Sequence, residues 1–129
     1  MGIKFIKVSV LYFAFGVLLG MYMSMQHDYV LKSLHVHINL LGWASLALAG
    51  IIYYLFPKAG NHTLAKVHFW GTNIGLPLMM GGLATLLISE SEQATIFISL
   101  GATLVVISTI LFAYNVLMNV RVPVVTLKE

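Results

Sequence analysis

VSVLYFAFGVLLGMYMSMQ, residues 8–26, carries no charged side chain and lies between Lys7 and Asp28. As a helix it has close to the ~20 residues needed to cross the hydrocarbon core of a bilayer. Three further uncharged stretches follow, from Ser33 to Pro57, from Val67 to Ser89 and from Gln93 to Val120. The predicted spans are therefore about 5–26, 33–57, 67–89 and 93–120. Backbone polar groups in lipid must be satisfied within their own segment. Four such stretches joined by short connections thus predict an all-α integral membrane protein, with four transmembrane helices forming one domain over residues 1–129.

Composition points the same way. The chain is 60% hydrophobic and 9% charged, with a mean hydropathy of +0.95. A soluble domain of this size could not hide so much apolar surface. There is no cysteine, which excludes a disulfide framework, a zinc–thiolate site and covalent c-type haem attachment. No nucleic-acid motif is present, so the positions of the charges matter more than the net +3. With the N-terminus in the cytoplasm, Lys4, Lys7, Lys58, Lys66, Arg121 and Lys128 lie inside. Lys32 alone of the basic residues lies outside, with Asp28, Glu90 and Glu92. This positive-inside pattern predicts both termini on the cytoplasmic side. The first span follows a basic N-terminus, as in a signal peptide, but it is too long for a typical h-region and has no small-x-small cleavage site. It reads as a retained helix.

The connection KAGNHTLAK (58–66) has Gly60-Asn61 turn chemistry after Pro57, which suits a helix stop. Gly16 and Gly20 form one GxxxG pair and Gly71 and Gly75 another, a spacing that lets helix backbones approach closely. The tail RVPVVTLKE reads as a short cytoplasmic end.

The second span opens with LHVHINLLGW (34–43), which places His35 and His37 at its outer end. Residues two apart on a helix diverge by about 200°, so the two imidazoles point to nearly opposite sides. They cannot grip one metal together as an i, i+4 pair does, but each can serve a different interhelical space. The structural alternative is a pair of interfacial histidines bonded to loop carbonyls. His68, at the cytoplasmic start of the third span beside Trp70, reads as an inner-interface anchor. His27 and His62 read as loop residues, and the seven methionines as adaptable packing rather than copper ligands. Asn39, Asn73 and Asn115 read as interhelical hydrogen-bond partners. Trp43, Tyr53 and Tyr54 read as helix packing and interface residues.

HVHINLLGW (35–43), IIYYLFPK (51–58) and KVHFWGTNIG (66–75), in that order and spacing, resemble subunit I of the haem–copper oxidases, especially the cbb-type oxidases and nitric oxide reductases. The likeness covers residues 35 to about 82. It implies that His35 corresponds to the axial ligand of a high-spin haem and His37 to a ligand of a low-spin haem. It therefore implies haem b as cofactor and a bacterial or archaeal cytoplasmic membrane as location. The family arranges three arcs of four helices about a pseudo-threefold axis, whereas this chain matches a single arc. That implies a homo-oligomer, a trimer first and a dimer sandwiching haem between two copies of His37 second. The family's copper site needs three histidines, for which no helix here carries the set.

Three functions follow from these readings. The first is a b-type haem protein for electron transfer, with a redox partner, or for diatomic-gas binding. The second is a minimal oxygen or nitric oxide reductase built from identical subunits, an oxidoreductase that would need copper or another second metal. The third is a haem-handling or structural accessory membrane protein.

Overall fold

The computed structural model describes residues 1–121; Lys128 and the tail after Arg121 lie outside the described residues. Four long helices carry the chain: α1 (Gly2–Gln26), α2 (Lys32–Leu55), α3 (Thr63–Ser89) and α4 (Thr95–Asn119). Each is long and apolar enough to cross a membrane. A short helical turn, Pro57–Gly60, and a 3₁₀ turn, Glu92–Ala94, complete the connections. The 58–66 connection is thus mostly helical, because the ring of Pro57 pre-sets the first position of its turn and His62 caps α3. The His62 ring accepts a hydrogen bond from the Leu64 amide at 3.2 Å, so His62 is an N-cap and not only a loop residue.

At the other end of the bundle, α1 and α3 both stop on a non-glycine residue in the left-handed conformation. His27 has φ 52° and Glu90 has φ 52°, positions that glycine usually fills. Asp28 then turns the chain by accepting from the Val30 amide at 3.0 Å.

The helices pack as two hairpins. In the α3–α4 hairpin small residues let the backbones touch: a Cβ added to Gly75 would lie 2.8 Å from the Gly101 carbonyl oxygen, and one on Gly101 would strike the backbone of Met79. The α1–α2 hairpin uses Gly2 and Gly50 in the same way at its lower end. Between the hairpins, Phe5, Leu46, Ala49, Tyr53, Ala65 and Phe69 form one core cluster. Leu34, Ile38, Leu76, Met79, Met80 and Val105 form the other. The outward faces are apolar, with Leu11, Leu18, Leu48, Ile96 and Leu117 all exposed, as lipid contact requires.

Among the described residues, Lys4, Lys58 and Arg121 gather at one end. The Met1 amino group donates to the Gly60 carbonyl at 3.3 Å. Lys4 shares a surface hollow with Pro57 and Asn61, and Lys58 shares another with Asn119 and Arg121.

Candidate functional site

His35 and His37 sit in the first turns of α2, immediately before eight residues, Ile38–Ser45, wound as a π-helix. π-helical turns are rare and recur at functional sites. Here the wider winding lets the Ser45 hydroxyl donate to the carbonyl of Leu40, five residues back, at 2.8 Å.

The two histidines are not brought together. His35 turns toward α1, where its ring lies over Gly20: a Cβ there would be 2.9 Å from His35 Cε1. One turn further along α2, Asn39 lies over Gly16 in the same manner. The first GxxxG pair is therefore a cradle for a histidine and an asparagine rather than for a bare backbone. The Asn39 amide nitrogen donates to the His35 carbonyl at 2.9 Å and lies 3.4 Å from His35 Nδ1. A carbonyl only accepts, so the NH₂ group must face it. His35 Nδ1 is then the acceptor, and in the neutral ring Nε2 carries the proton.

His37 has the opposite arrangement. Its Nδ1 lies 2.8 Å from the Ser33 carbonyl, which requires Nδ1 to be the donor. In the neutral ring Nε2 keeps its lone pair. The ring borders an open cleft of about 340 Å³ between α2 and α4, lined by Leu41, Met79, Val105 and Ile110 among others. Apart from the half-buried His37 and from Thr109, whose hydroxyl donates to the Val105 carbonyl, the walls are apolar.

The sequence reading missed a second polar centre. His68 is 5% exposed and faces the inside of the bundle rather than its outer surface. The rings of Phe5 and Phe112 lie 4.9 Å from it on centroids. Its Nδ1 is 3.2 Å from the Tyr53 hydroxyl. Asn115, fully buried, donates to the Ala59 carbonyl at 3.1 Å and to the Tyr53 oxygen at 3.5 Å, and accepts from Asn119 at 2.8 Å. Tyr53 is therefore a buried polar link, not a residue of packing alone. Of the three asparagines expected to bridge helices, only Asn115 makes a hydrogen bond to another element. Asn39 and Asn73 donate to carbonyls four residues back in their own helices, which satisfies the amide without an interhelical partner. The signal available in sequence was spacing: His68 and Thr72, and Asn115 and Asn119, are each four apart. On a uniformly apolar helix such pairs mark one common face.

Among the described residues, no three His, Asp or Glu side chains come together as ligands for a metal ion. The chain matches no family model, no curated protein and no solved structure.

Proposed function

We propose that the chain is a b-type haem-binding membrane protein, serving electron transfer or diatomic-gas binding, that assembles with copies of itself. The observation that carries this reading is the state of His37. Its Nδ1–H is fixed by the Ser33 carbonyl at 2.8 Å, and its ring borders an apolar cleft within a membrane-spanning bundle. Iron-ligating histidines characteristically donate the other ring N–H to a carbonyl or carboxylate, which sets the tautomer and the ring plane. The donor set of this chain fits the group: an imidazole whose Nδ1–H is engaged by a carbonyl and whose Nε2 has no protein partner, beside mostly apolar walls.

Within this reading His37 holds the iron, Ser33 orients His37, and Leu41, Val105 and Ile110 exclude water from the macrocycle. The cleft is open on its outer side, so the remaining surface of a bound haem would face a neighbouring copy, in a trimer or in a dimer that pairs two His37 rings. His35 could join only after its ring turned away from Asn39 and its proton moved from Nε2. When bound, haem would supply a one-electron couple if a second imidazole completed the coordination, or an open iron face for a diatomic gas if none did.

The test is the haem-to-protein ratio and Soret absorbance of the full chain, made with ample haem and purified in detergent, beside His37→Ala and His35→Ala. Haem in the wild type, its loss in His37→Ala and retention in His35→Ala are the expected results. A wild type without haem, or a His37→Ala variant with an unchanged spectrum, would overturn the proposal.

A further inference from the structure

The polar centre around His68 borders a cavity of about 290 Å³ between α2, α3 and α4. Its walls include Leu46, Ile52, Val105 and Phe112, and two polar residues of α3, His68 and Thr72. Both are 5% exposed.

The hydrogen-bond network determines which atoms these two residues offer. The Ala59 carbonyl can only accept, so the Asn115 atom 3.1 Å from it is the NH₂ nitrogen. That same nitrogen faces the Tyr53 oxygen. The one acceptor within reach of the Tyr53 O–H is then His68 Nδ1. His68 must accept through Nδ1, and in the neutral ring it carries its proton on Nε2 as a donor without a protein partner. Thr72 supplies the second donor. Among the described residues its hydroxyl alone is sealed from solvent with no hydrogen-bond partner. The contrast with its neighbours is informative: Ser45, Thr85, Thr103 and Thr109 all donate to carbonyls four or five residues back in their own helices. A buried hydroxyl left unpaired costs roughly 1–3 kcal/mol, and such groups in native structures generally have an external partner.

We propose that this cavity binds a lipid-soluble molecule through a carbonyl oxygen that accepts from His68 and Thr72, the chemistry of an isoprenoid quinone. Three features select that class. The walls are mostly apolar and the site lies within helices long and apolar enough to cross a membrane, so the ligand arrives through lipid. His68 Nε2–H can only donate and the Thr72 hydroxyl has a proton to give, so one acceptor atom on the ligand satisfies both. Counted from Val67, where the uncharged stretch of α3 begins, Thr72 lies about 7–8 Å along the helix and so inside the edge of a bilayer core about 30 Å thick. Lipid ester carbonyls lie at the edge of that core; a quinone ring carries its carbonyls into it. Leu41, Val105 and Thr109 border both this cavity and the cleft at His37, so the two spaces adjoin. The proposal stands on His68 and Thr72 and does not depend on what His37 binds.

The test is equilibrium binding of a decyl-substituted 1,4-benzoquinone to the detergent-purified full chain, with decylbenzene as the analogue lacking carbonyls. The infrared carbonyl stretch of the bound quinone is read in parallel. The quinone is expected to bind more tightly than decylbenzene, with its carbonyl band shifted to lower frequency. Thr72→Val keeps the side-chain shape and removes the hydroxyl. It should weaken quinone binding several-fold to about tenfold, the loss of one hydrogen bond, and leave decylbenzene unaffected. The same variant should melt at a higher temperature than the wild type without ligand, a direction that a purely structural role for the hydroxyl would not give. His37→Ala should bind the quinone as the wild type does. No quinone binding, equal affinity for the two probes, or a Thr72→Val variant with undiminished quinone affinity would each overturn the proposal.

Discussion

Replacing Asn115 with leucine tests the internal polar centre at its most enclosed point. Leucine has the same number of side-chain heavy atoms and the same branching, so the change removes hydrogen bonds without opening a cavity, although its methyl groups take more room at this fully buried position. Two well-formed bonds are lost, to the Ala59 carbonyl at 3.1 Å and from Asn119 at 2.8 Å, together with a long one to Tyr53 at 3.5 Å. The losses are partly offset. The Ala59 carbonyl keeps the His62 amide at 3.3 Å, and Asn119, half-buried at the end of α4, can turn toward water. Side-chain hydrogen bonds between membrane helices average about 0.6 kcal/mol and reach about 1.7. Two of them give a destabilisation of about 1–3 kcal/mol. The assay is reversible unfolding of the full chain in mixed micelles, run as double-mutant cycles. Coupling to Asn119→Ala should be about 0.6 kcal/mol or more, and coupling to Tyr53→Phe smaller, because the 2.8 Å bond is the stronger. A loss below about 0.5 kcal/mol, or a coupling to Tyr53 larger than that to Asn119, would refute the assigned network.

The glycines of the second hairpin offer a matched pair. Gly101→Ala drives a Cβ into the backbone of Met79 and Gly75 and should destabilise by about 1–3 kcal/mol, whereas Gly81, with nothing within 4 Å, should accept alanine with a gain of up to about 1 kcal/mol; thermal melts of the two variants check both. Glu90→Gly relieves a left-handed residue at the end of α3, where φ is 52°, and should raise stability by about 1 kcal/mol in the same assay. The sidedness of the bundle can be read directly because the chain has no cysteine. Single cysteines at Lys58 and Asp28 should react oppositely with a membrane-impermeant maleimide in intact cells, Asp28→Cys labelling and Lys58→Cys not.

Much of the architecture is legible in the sequence because lipid imposes a length and a polarity. Four uncharged stretches became four helices, and 100° per residue was enough to send His35 and His37 to different neighbours. Gly16 and Gly20 announced a close approach, but not that His35 and Asn39 fill it. Rotation about the helix axis was the missing variable. In a soluble helix a polar face shows which side is outward; here lipid and core are equally apolar, so the position of His68 along α3 did not reveal that it faces inward. The same ambiguity let Asn39 and Asn73 pass for interhelical partners when their own backbones satisfy them. The π-helical winding of Ile38–Ser45 left no sequence signal that we can identify, yet it determines how Leu41 and Ser45 meet the cavities. The unpaired Thr72 hydroxyl likewise becomes visible only once every neighbouring acceptor is placed.

The most direct test of the central claim, that His37 is an iron ligand held ready by the Ser33 carbonyl, is chemical rescue. Reduced-minus-oxidised spectra would be recorded for haem-loaded wild type and for His37→Gly, with and without added imidazole. The account predicts haem bands in the wild type, their loss in His37→Gly, and their return as imidazole occupies the vacated space beside the apolar cleft. Bands that persist in His37→Gly without imidazole, or a wild type with no haem bands at all, would contradict it.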